Sequence, residues 1–571
     1  MIDLVKKHKL IIIIFVVLFT LKLVSNWLLL AENGDTYDFF KIAYFLQNYN
    51  LDYASKRMPF LPILLAPFPF KYFVTVGRIW INIFYFFTLI FSYKYFYLIS
   101  NKQVNQKFVS ILFALVIATN ILIFENSFYI LADTIFLFFN IYYLYLIKKH
   151  GLNKPFLLAL IATLAFYTRP EGAVLFVITL VLYCIKILSE VIKKVSYPLP
   201  LSVTTTNSTI YNLKFFKKIF LNTTVFGFVG LVLIAPYFLR NYYYYGSIFY
   251  SGYFKDEAGF LFDKVTLMLR ISNFLYAVGG VWLLPTLYIL FKSWGAEHKI
   301  WHNKVFKISS LGFKVCVGRL NKFKFLPEIL VFLAYSLILF IWGPYPRLYT
   351  IPTFLILTLT YYLLTSVKKL SIKWFDVFVV LILIGVSTLF YLYIVQFLNQ
   401  TDFGYRKIGK ATAVVFSLPV IMYFYLYSIK KISKKSLITV FTASVILINM
   451  FIFIDKFRIT RYKYYTIKQA ILFATQPKFL GSNIYYSSGS GLETWYLKDF
   501  DQRYFYKGSI EPQTFINEAT ENNVTLYITT EEMGYKDNLS NVSTKKVSGK
   551  IIKIYKSPFF PGETKVIRLS N

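Results

Sequence analysis

Asp35 and Asp38 stand three residues apart in the segment Asn33-Gly34-Asp35-Thr36-Tyr37-Asp38. On a helix that spacing puts both carboxylates on one face. Such a pair can take a proton from an acceptor hydroxyl or amine, or hold a hard divalent cation through oxygen. Asp35 could equally be a helix N-cap with Asp38 at the third helical position, a variant of the capping box. Arg57 follows in Lys56-Arg57-Met58-Pro59-Phe60-Leu61-Pro62. Its planar fork suits two phosphate oxygens; the plainer alternative is a side chain snorkelling at a lipid boundary.

Further charged residues recur between apolar stretches. Glu125 sits in Phe124-Glu125-Asn126, and Asp133 is expected one to two turns into the next apolar segment, where an ionisable group is either functional or paired with a neighbour. Arg169 and Glu171 share the tight turn Thr168-Arg169-Pro170-Glu171-Gly172 and could pair with each other. Arg240 closes Ala235-Pro236-Tyr237-Phe238-Leu239-Arg240-Asn241, followed by four tyrosines from Tyr242 to Tyr245. Those tyrosines could stack on sugar rings or form a plain interfacial belt. Arg347 lies in Pro344-Tyr345-Pro346-Arg347-Leu348-Tyr349. His298 and His302 have helical metal-ligand spacing but no third ligand nearby, in a basic loop. No phosphate-cradling glycine loop, Cys/His metal cluster or nucleophile elbow is present.

The elements that must position these residues are membrane spans. Of 571 residues, 57% are hydrophobic and only 16% charged. Apolar runs of about 20 residues, the length that crosses a hydrocarbon core, recur throughout. Expected spans are 10–30, 76–99, 108–124, 127–147, 155–167, 172–189, 219–239, 272–291, 327–342, 348–366, 374–397, 411–429 and 436–455. The shortest, 155–167, reads as a half-helix. The first span is long and lacks a small-residue cleavage site, so it reads as a retained anchor. Cys184 and Cys316 are too few for a disulfide framework.

The net charge of +35 invites a nucleic-acid reading, but its placement argues against one. Lys6-Lys7, Lys148-Lys149, Lys193-Lys194, Lys217-Lys218, the stretch Lys292 to Lys324, Lys368-Lys369, Lys430-Lys431 and Lys434-Lys435 all fall on one side of these spans. The positive-inside rule makes that side cytoplasmic, and anionic membrane lipids account for the charge. The opposite side carries Asp35, Asp38, Asp52, Glu125, Glu171, Asp256, Glu257, Asp263 and Asp402, with Arg57, Arg169, Arg240, Arg270 and Arg347. An odd span count places the C-terminus outside as well.

From about Lys456 to Asn571 the long apolar runs stop. Expected strands are Asn483–Ser487, Val524–Thr529 and Lys550–Tyr555, and expected helices Tyr465–Thr475 and Pro512–Asn522. The alternation predicts a small extracytoplasmic α/β domain at 456–571, beyond a transmembrane domain at 1–455. The sequon-like Asn523-Val524-Thr525 is a short triplet of little weight.

The pattern resembles the GT-C superfamily of polyprenyl-phosphate-sugar-dependent glycosyltransferases. The nearest resemblance is to the dolichyl-phosphate-mannose–protein mannosyltransferase and aminoarabinose transferase group. Gly34-Asp35 with Tyr37 and Ala43, Arg57 through Phe68, Asp133-Thr134, Thr168 through Gly172, Ala235-Pro236 through Tyr242 with Gly246, and Arg347-Leu348-Tyr349 with Pro352 carry it, over roughly residues 1–370. The implied architecture is a polytopic α-helical membrane protein of about thirteen transmembrane helices, GT-C-like, with the small C-terminal extracytoplasmic α/β domain. The implied activity is inverting transfer of a sugar from a polyprenyl phosphate to a lipid, glycan or protein acceptor at the outer face of the cell membrane. Asp35 would deprotonate the acceptor, with Asp38 beside it. Arg57, Arg169, Arg240 and Arg347 would receive the departing phosphate, and Tyr37, Glu125, Asp133 and Tyr242 would contact acceptor or sugar. No cofactor and no sugar nucleotide is implied, and a divalent metal at the acids stays open. Many members carry two adjacent acids in the first loop; here Thr36 follows Asp35. No Trp-Trp-Asp run of the oligosaccharyltransferase kind is present, which argues against en bloc glycan transfer.

Two other functions compete. A transporter or flippase of a lipid-linked sugar should show midplane charges and broken helices in paired repeats, whereas the acids here gather in outer loops. A non-catalytic membrane scaffold should tolerate replacement of Asp35.

Overall fold

The computed structural model describes residues 19–32, 34–53, 57–100, 105–196, 205–248, 286–292, 325–342, 349–367, 433–462, 464–479, 483–486, 495–496, 523–530, 549–556 and 563–569, with a few isolated positions besides. Among the described residues the chain is mostly helical, with a small sheet near its C-terminus. Helix α1 covers residues 19–27 within the first expected span. It is followed by α2 (Gly34–Gln47), α3 (Phe60–Leu65), α4 (Phe73–Ile99), α5 (Gln106–Thr119), α6 (Ile121–Asn126), α7 (Ala132–His150) and α8 (Pro155–Thr168). Then come α9 (Ala173–Ser196), α10 (Thr205–Tyr245), α11 (Leu326–Trp342), α12 (Thr350–Ser366), α13 (Lys434–Thr460) and α14 (Tyr465–Ala474). Among the described residues, three helical stretches are long and apolar enough to cross a membrane: Phe70–Ile99, Pro170–Ser189 and Phe216–Tyr245.

Local chemistry explains several boundaries. The expected span 108–124 is two helices, because the Asn120 side chain ends α5 and accepts from Leu122 N and Ile123 N to start α6. The next helix begins at Ala132, not 127, so Asp133 lies in its first turn instead of one to two turns in. There its charge complements the positive end of the helix dipole, as Lys148, Lys149 and His150 complement the other end. Gly151, at φ 59°, ends α7 in a conformation that L side chains avoid. Pro155 opens α8, where its missing N–H costs nothing. Expected span 219–239 belongs to the 41-residue α10, which continues past Pro236 to Tyr245. The four tyrosines are therefore helical, and Tyr242 and Tyr243 face outward.

A continuous apolar core joins α4, α5, α7, α8, α9, α12 and α13. Gly77 of α4 sits against Ile130: a Cβ there would fall 2.8 Å from that side chain. Most expected spans up to 366 and 436–455 correspond to these helices. The spans 374–397 and 411–429 lie outside the described residues except at isolated helical positions, and 272–291 is described only from residue 286.

The C-terminal sheet has order β1-β2-β4-β3, formed by β1 (Asn483–Tyr486), β2 (Val524–Thr530), β3 (Gly549–Lys556) and β4 (Glu563–Leu569). β1 and β2 are parallel; β4 pairs antiparallel with both β2 and β3. The three expected strands correspond to β1, β2 and β3, and β4 is an addition to them. Its charges Glu563, Lys565 and Arg568 disguise a strand whose Thr564, Val566 and Ile567 are buried. The expected helix Pro512–Asn522 lies outside the described residues.

Candidate active site

Helix α2 starts at Gly34, so Asp35 lies within its first turn and not at its cap. Both acids point to Arg57. Its Nη2 is 2.5 Å from Asp35 Oδ1, and its Nε is 3.2 Å from Asp38 Oδ2. One guanidinium thus bridges two carboxylates across 22 residues of chain, with opposed charges and fixed fork geometry. Asp35 and Asp38 keep 23% and 46% of their side-chain surface exposed, so both are open to a second molecule. Burial of its remaining surface pushes the Asp38 carboxyl up, outweighing the pull of the Arg57 charge, and neighbouring Asp35 adds to the rise. Among the described residues no three His, Cys, Asp or Glu side chains converge as a metal site.

The loop carrying Arg57 is itself held. Arg240, near the end of α10, donates from Nε to Leu51 O at 2.9 Å and from Nη2 to Tyr53 O at 2.6 Å. Its guanidinium also lies 3.8 Å from the centre of the Tyr53 ring. Arg240 therefore clasps the segment just before Arg57. It reaches Tyr245 of the tyrosine run as well, at 3.3 Å.

Arg169 forms a second network. Its Nη1 is 2.6 Å from Asp133 Oδ1, and its Nη2 is 2.8 Å from Glu171 Oε1. Both pairings open in the sequence are realised at once. Asp133 and Glu171 keep only 7% and 13% exposure, so this network is closed. Gly172 permits the turn: a Cβ there would stand 2.3 Å from the Ala165 and Phe166 backbone. Glu125 lies in the short α6, whose Phe124 carbonyl accepts from the buried Lys22 at 3.1 Å. Arg347, His298 and His302 lie outside the described residues.

Tyr37 is buried on the other face of α2, and burial pushes its phenol up. Beneath it sits a pair absent from the residues expected at the site: Arg78 Nε, 2.7 Å from Glu32 Oε1. Glu32 Oε2 also accepts from Ile130 N at 3.3 Å. Glu32 reads in sequence as the frayed end of a hydrophobic run, and Arg78 as a stray charge near a span start. Two opposite charges at adjoining span ends were the available signal.

No protein-family model and no curated protein matches the chain. Its structure is similar to that of ArnT from Cupriavidus metallidurans bound to undecaprenyl phosphate, with a TM-score of 0.54 at 11% identity over 98% of each chain. The apo state of the same ArnT aligns with a TM-score of 0.53 at 10% identity, over 99% of this chain and 98% of that one. The helices, the small C-terminal sheet and the acid-bearing first loop thus belong to a chain that has the fold of ArnT along nearly its whole length.

Proposed function

We propose that this chain is an integral-membrane glycosyltransferase of the GT-C kind. It moves a sugar from a polyprenyl phosphate to a lipid, glycan or protein acceptor. The observation that carries this reading is the half-open Asp35–Arg57–Asp38 cluster at one end of the helices. The fold shared with ArnT, an aminoarabinose transferase crystallised with undecaprenyl phosphate, supports the choice of donor.

The chemistry follows from the cluster. Asp35 takes the proton of an acceptor hydroxyl or amine as that atom attacks the anomeric carbon. The bond from that carbon to the phosphate oxygen breaks, and the polyprenyl phosphate leaves with the electron pair. Negative charge grows on the leaving oxygen, where a preorganised guanidinium stabilises it more than in the ground state. Among the described residues, Arg57 is the cation paired with the base. A donor phosphate competes with the two carboxylates for the Arg57 fork, so donor binding frees Asp35 to act as base. Arg240 serves by holding the Leu51–Tyr53 segment in place.

The lysine-rich loops support placing this end on the extracytoplasmic side, with the transmembrane part at 1–455 and the small domain at 456–571 on that same side. The deciding experiment measures release of free undecaprenyl phosphate from an undecaprenyl-phosphate sugar by purified protein, beside Asp35→Asn. Release by wild type and not by the folded variant supports the reading. Equal release by both removes Asp35 as base.

A further inference from the structure

Helix α2 presents two faces to different partners. Asp35 and Asp38 share one face toward Arg57. Tyr37 and Phe40, also three apart, turn their rings to Trp495, at 6.4 and 4.7 Å between ring centres. Trp495 comes from the C-terminal part of the chain. It also lies 4.1 Å from Phe70 and 6.1 Å from Phe73, at the start of α4. One indole therefore occupies an aromatic box lined by the acid-bearing helix and by the helix that carries Arg78.

A polar seam runs beside the box. Lys468 Nζ, from α14, donates to Leu30 O at 2.5 Å, just before Glu32. Leu30 N in turn donates to Arg461 O at 3.4 Å. Tyr496 is close enough to Glu32 to feel its charge, and burial with that charge pushes its phenol up to about 12. On the opposite flank, Thr36 Oγ1 donates to Ile130 O at 3.2 Å. Glu32, Arg78, Leu30 and α2 are thus enclosed by segments more than four hundred residues apart in sequence.

We infer that the C-terminal part of the chain is a clamp that sets the rotation of α2, with Trp495 as the positioning residue that aims Asp35 and Asp38 at Arg57. The physical reason is geometric. Residues 37 and 40 lie about 160° around the helix from residues 35 and 38, given 3.6 residues per turn. Fixing the aromatic face fixes the acid face. Loss of the indole frees rotation without touching any charged group. A carboxylate turned by an ångström or so no longer meets the acceptor proton in line, and misplacement of that size can cost about 100-fold. The consequence for turnover rests on the transferase reading above; the mechanical consequence does not.

The test uses full-length protein in lipid nanodiscs with Trp495→Ala and Trp495→Phe. Hydrogen exchange is followed over residues 34–47, and sugar transfer from an undecaprenyl-phosphate donor is timed in parallel. Trp495→Ala should speed exchange across 34–47 by roughly tenfold, the scale of lost aromatic pairs. It should lower kcat by about 10- to 100-fold with donor KM changed by less than about threefold. Trp495→Phe should restore most of both, since a smaller ring still fills the box. Exchange over 34–47 as slow in Trp495→Ala as in wild type overturns the clamp, whatever the activity. So does a loss seen mainly in KM. Should Trp495→Ala not fold, Lys468→Met, which removes the bond to Leu30 O and a positive charge near Glu32 and Arg78, is read in the same way over residues 29–47, and unchanged exchange there overturns the clamp. Wild-type protein that transfers no sugar defeats the transferase reading and leaves the exchange result to decide the clamp.

Discussion

At one end of the bundle Asp35 and Asp38 share Arg57; at the other, Glu328 at the start of α11 is held by Lys148 at the end of α7, 3.0 Å away, and by the hydroxyl of Tyr95. Both are ion pairs at helix ends. They differ in access. Glu328 keeps 6% of its side-chain surface exposed, whereas Asp38 keeps 46%. A buried pair is costly to break, because removing one partner strands the other charge in a poor solvent. A half-open pair can exchange partners with a molecule from solution. The Arg169 network stands at the acid-bearing end of α7 but resembles the Lys148–Glu328 pair in closure. Openness, more than location, separates acids that can do chemistry from acids that hold helices together.

This contrast is most exposed at its two extremes. Asp35→Asn should lower sugar transfer by about 10²- to 10⁴-fold, the scale of a lost general base, while melting in detergent stays near wild type. Asp133→Asn with that same profile, and a fully active Asp35→Asn, would invert the assignment. Arg169→Ala leaves Asp133 and Glu171 buried without their cation, and should destabilise by about 3–5 kcal/mol. Thermal melting or yield of folded protein reads this directly; a normally stable, inactive Arg169→Ala would move that network into the chemistry.

Arg57→Lys sharpens the account of the open cluster. It keeps one charge but loses the fork that meets two acids, and charged hydrogen bonds are each worth roughly 1.5–3 kcal/mol. Donor KM should rise by about tenfold or more, on that scale, with little loss of stability. Unchanged donor kinetics would take Arg57 out of phosphate binding.

The smallest effect concerns pH. Burial raises the Asp38 carboxyl above its ordinary value, so the folded protein holds that proton more tightly than the unfolded chain does. Ionising Asp38 therefore costs stability. The cost is absent below the ordinary carboxylate range and complete above the raised value. Asp38→Asn removes it, so the variant should gain on wild type as pH rises through that window. The half-exposed side chain keeps the gain below about 1 kcal/mol. A difference in melting temperature that is flat with pH would show that Asp38 titrates normally.

Much of this site was readable in the chain itself. Asp35, Asp38 and Arg57 stood out because charges are rare among so many apolar residues, and each rare charge needs a reason. Arg169 beside Glu171 was visible for the same cause. Glu32 and Arg78 were not, because each sits alone at the edge of an apolar run and gains meaning only when α4 lies beside the end of the first span. β4 was hidden because its alternation of charged and buried residues is short, and its place between β2 and β3 comes from pairing with strands outside its own segment.

The sequence alone determined that the chain is built of apolar helices, where many of them end, and which few acids and arginines are candidates for chemistry at all. Those properties depend on composition and on neighbours within a few residues, such as Asn120 capping α6 or Pro155 opening α8. Only the tertiary structure decided which acid meets which arginine, that Arg240 grips the loop before Arg57, and that Trp495 reaches back to α2. Such contacts join residues hundreds apart, where no local periodicity records the partner; packing of the whole bundle brings them together.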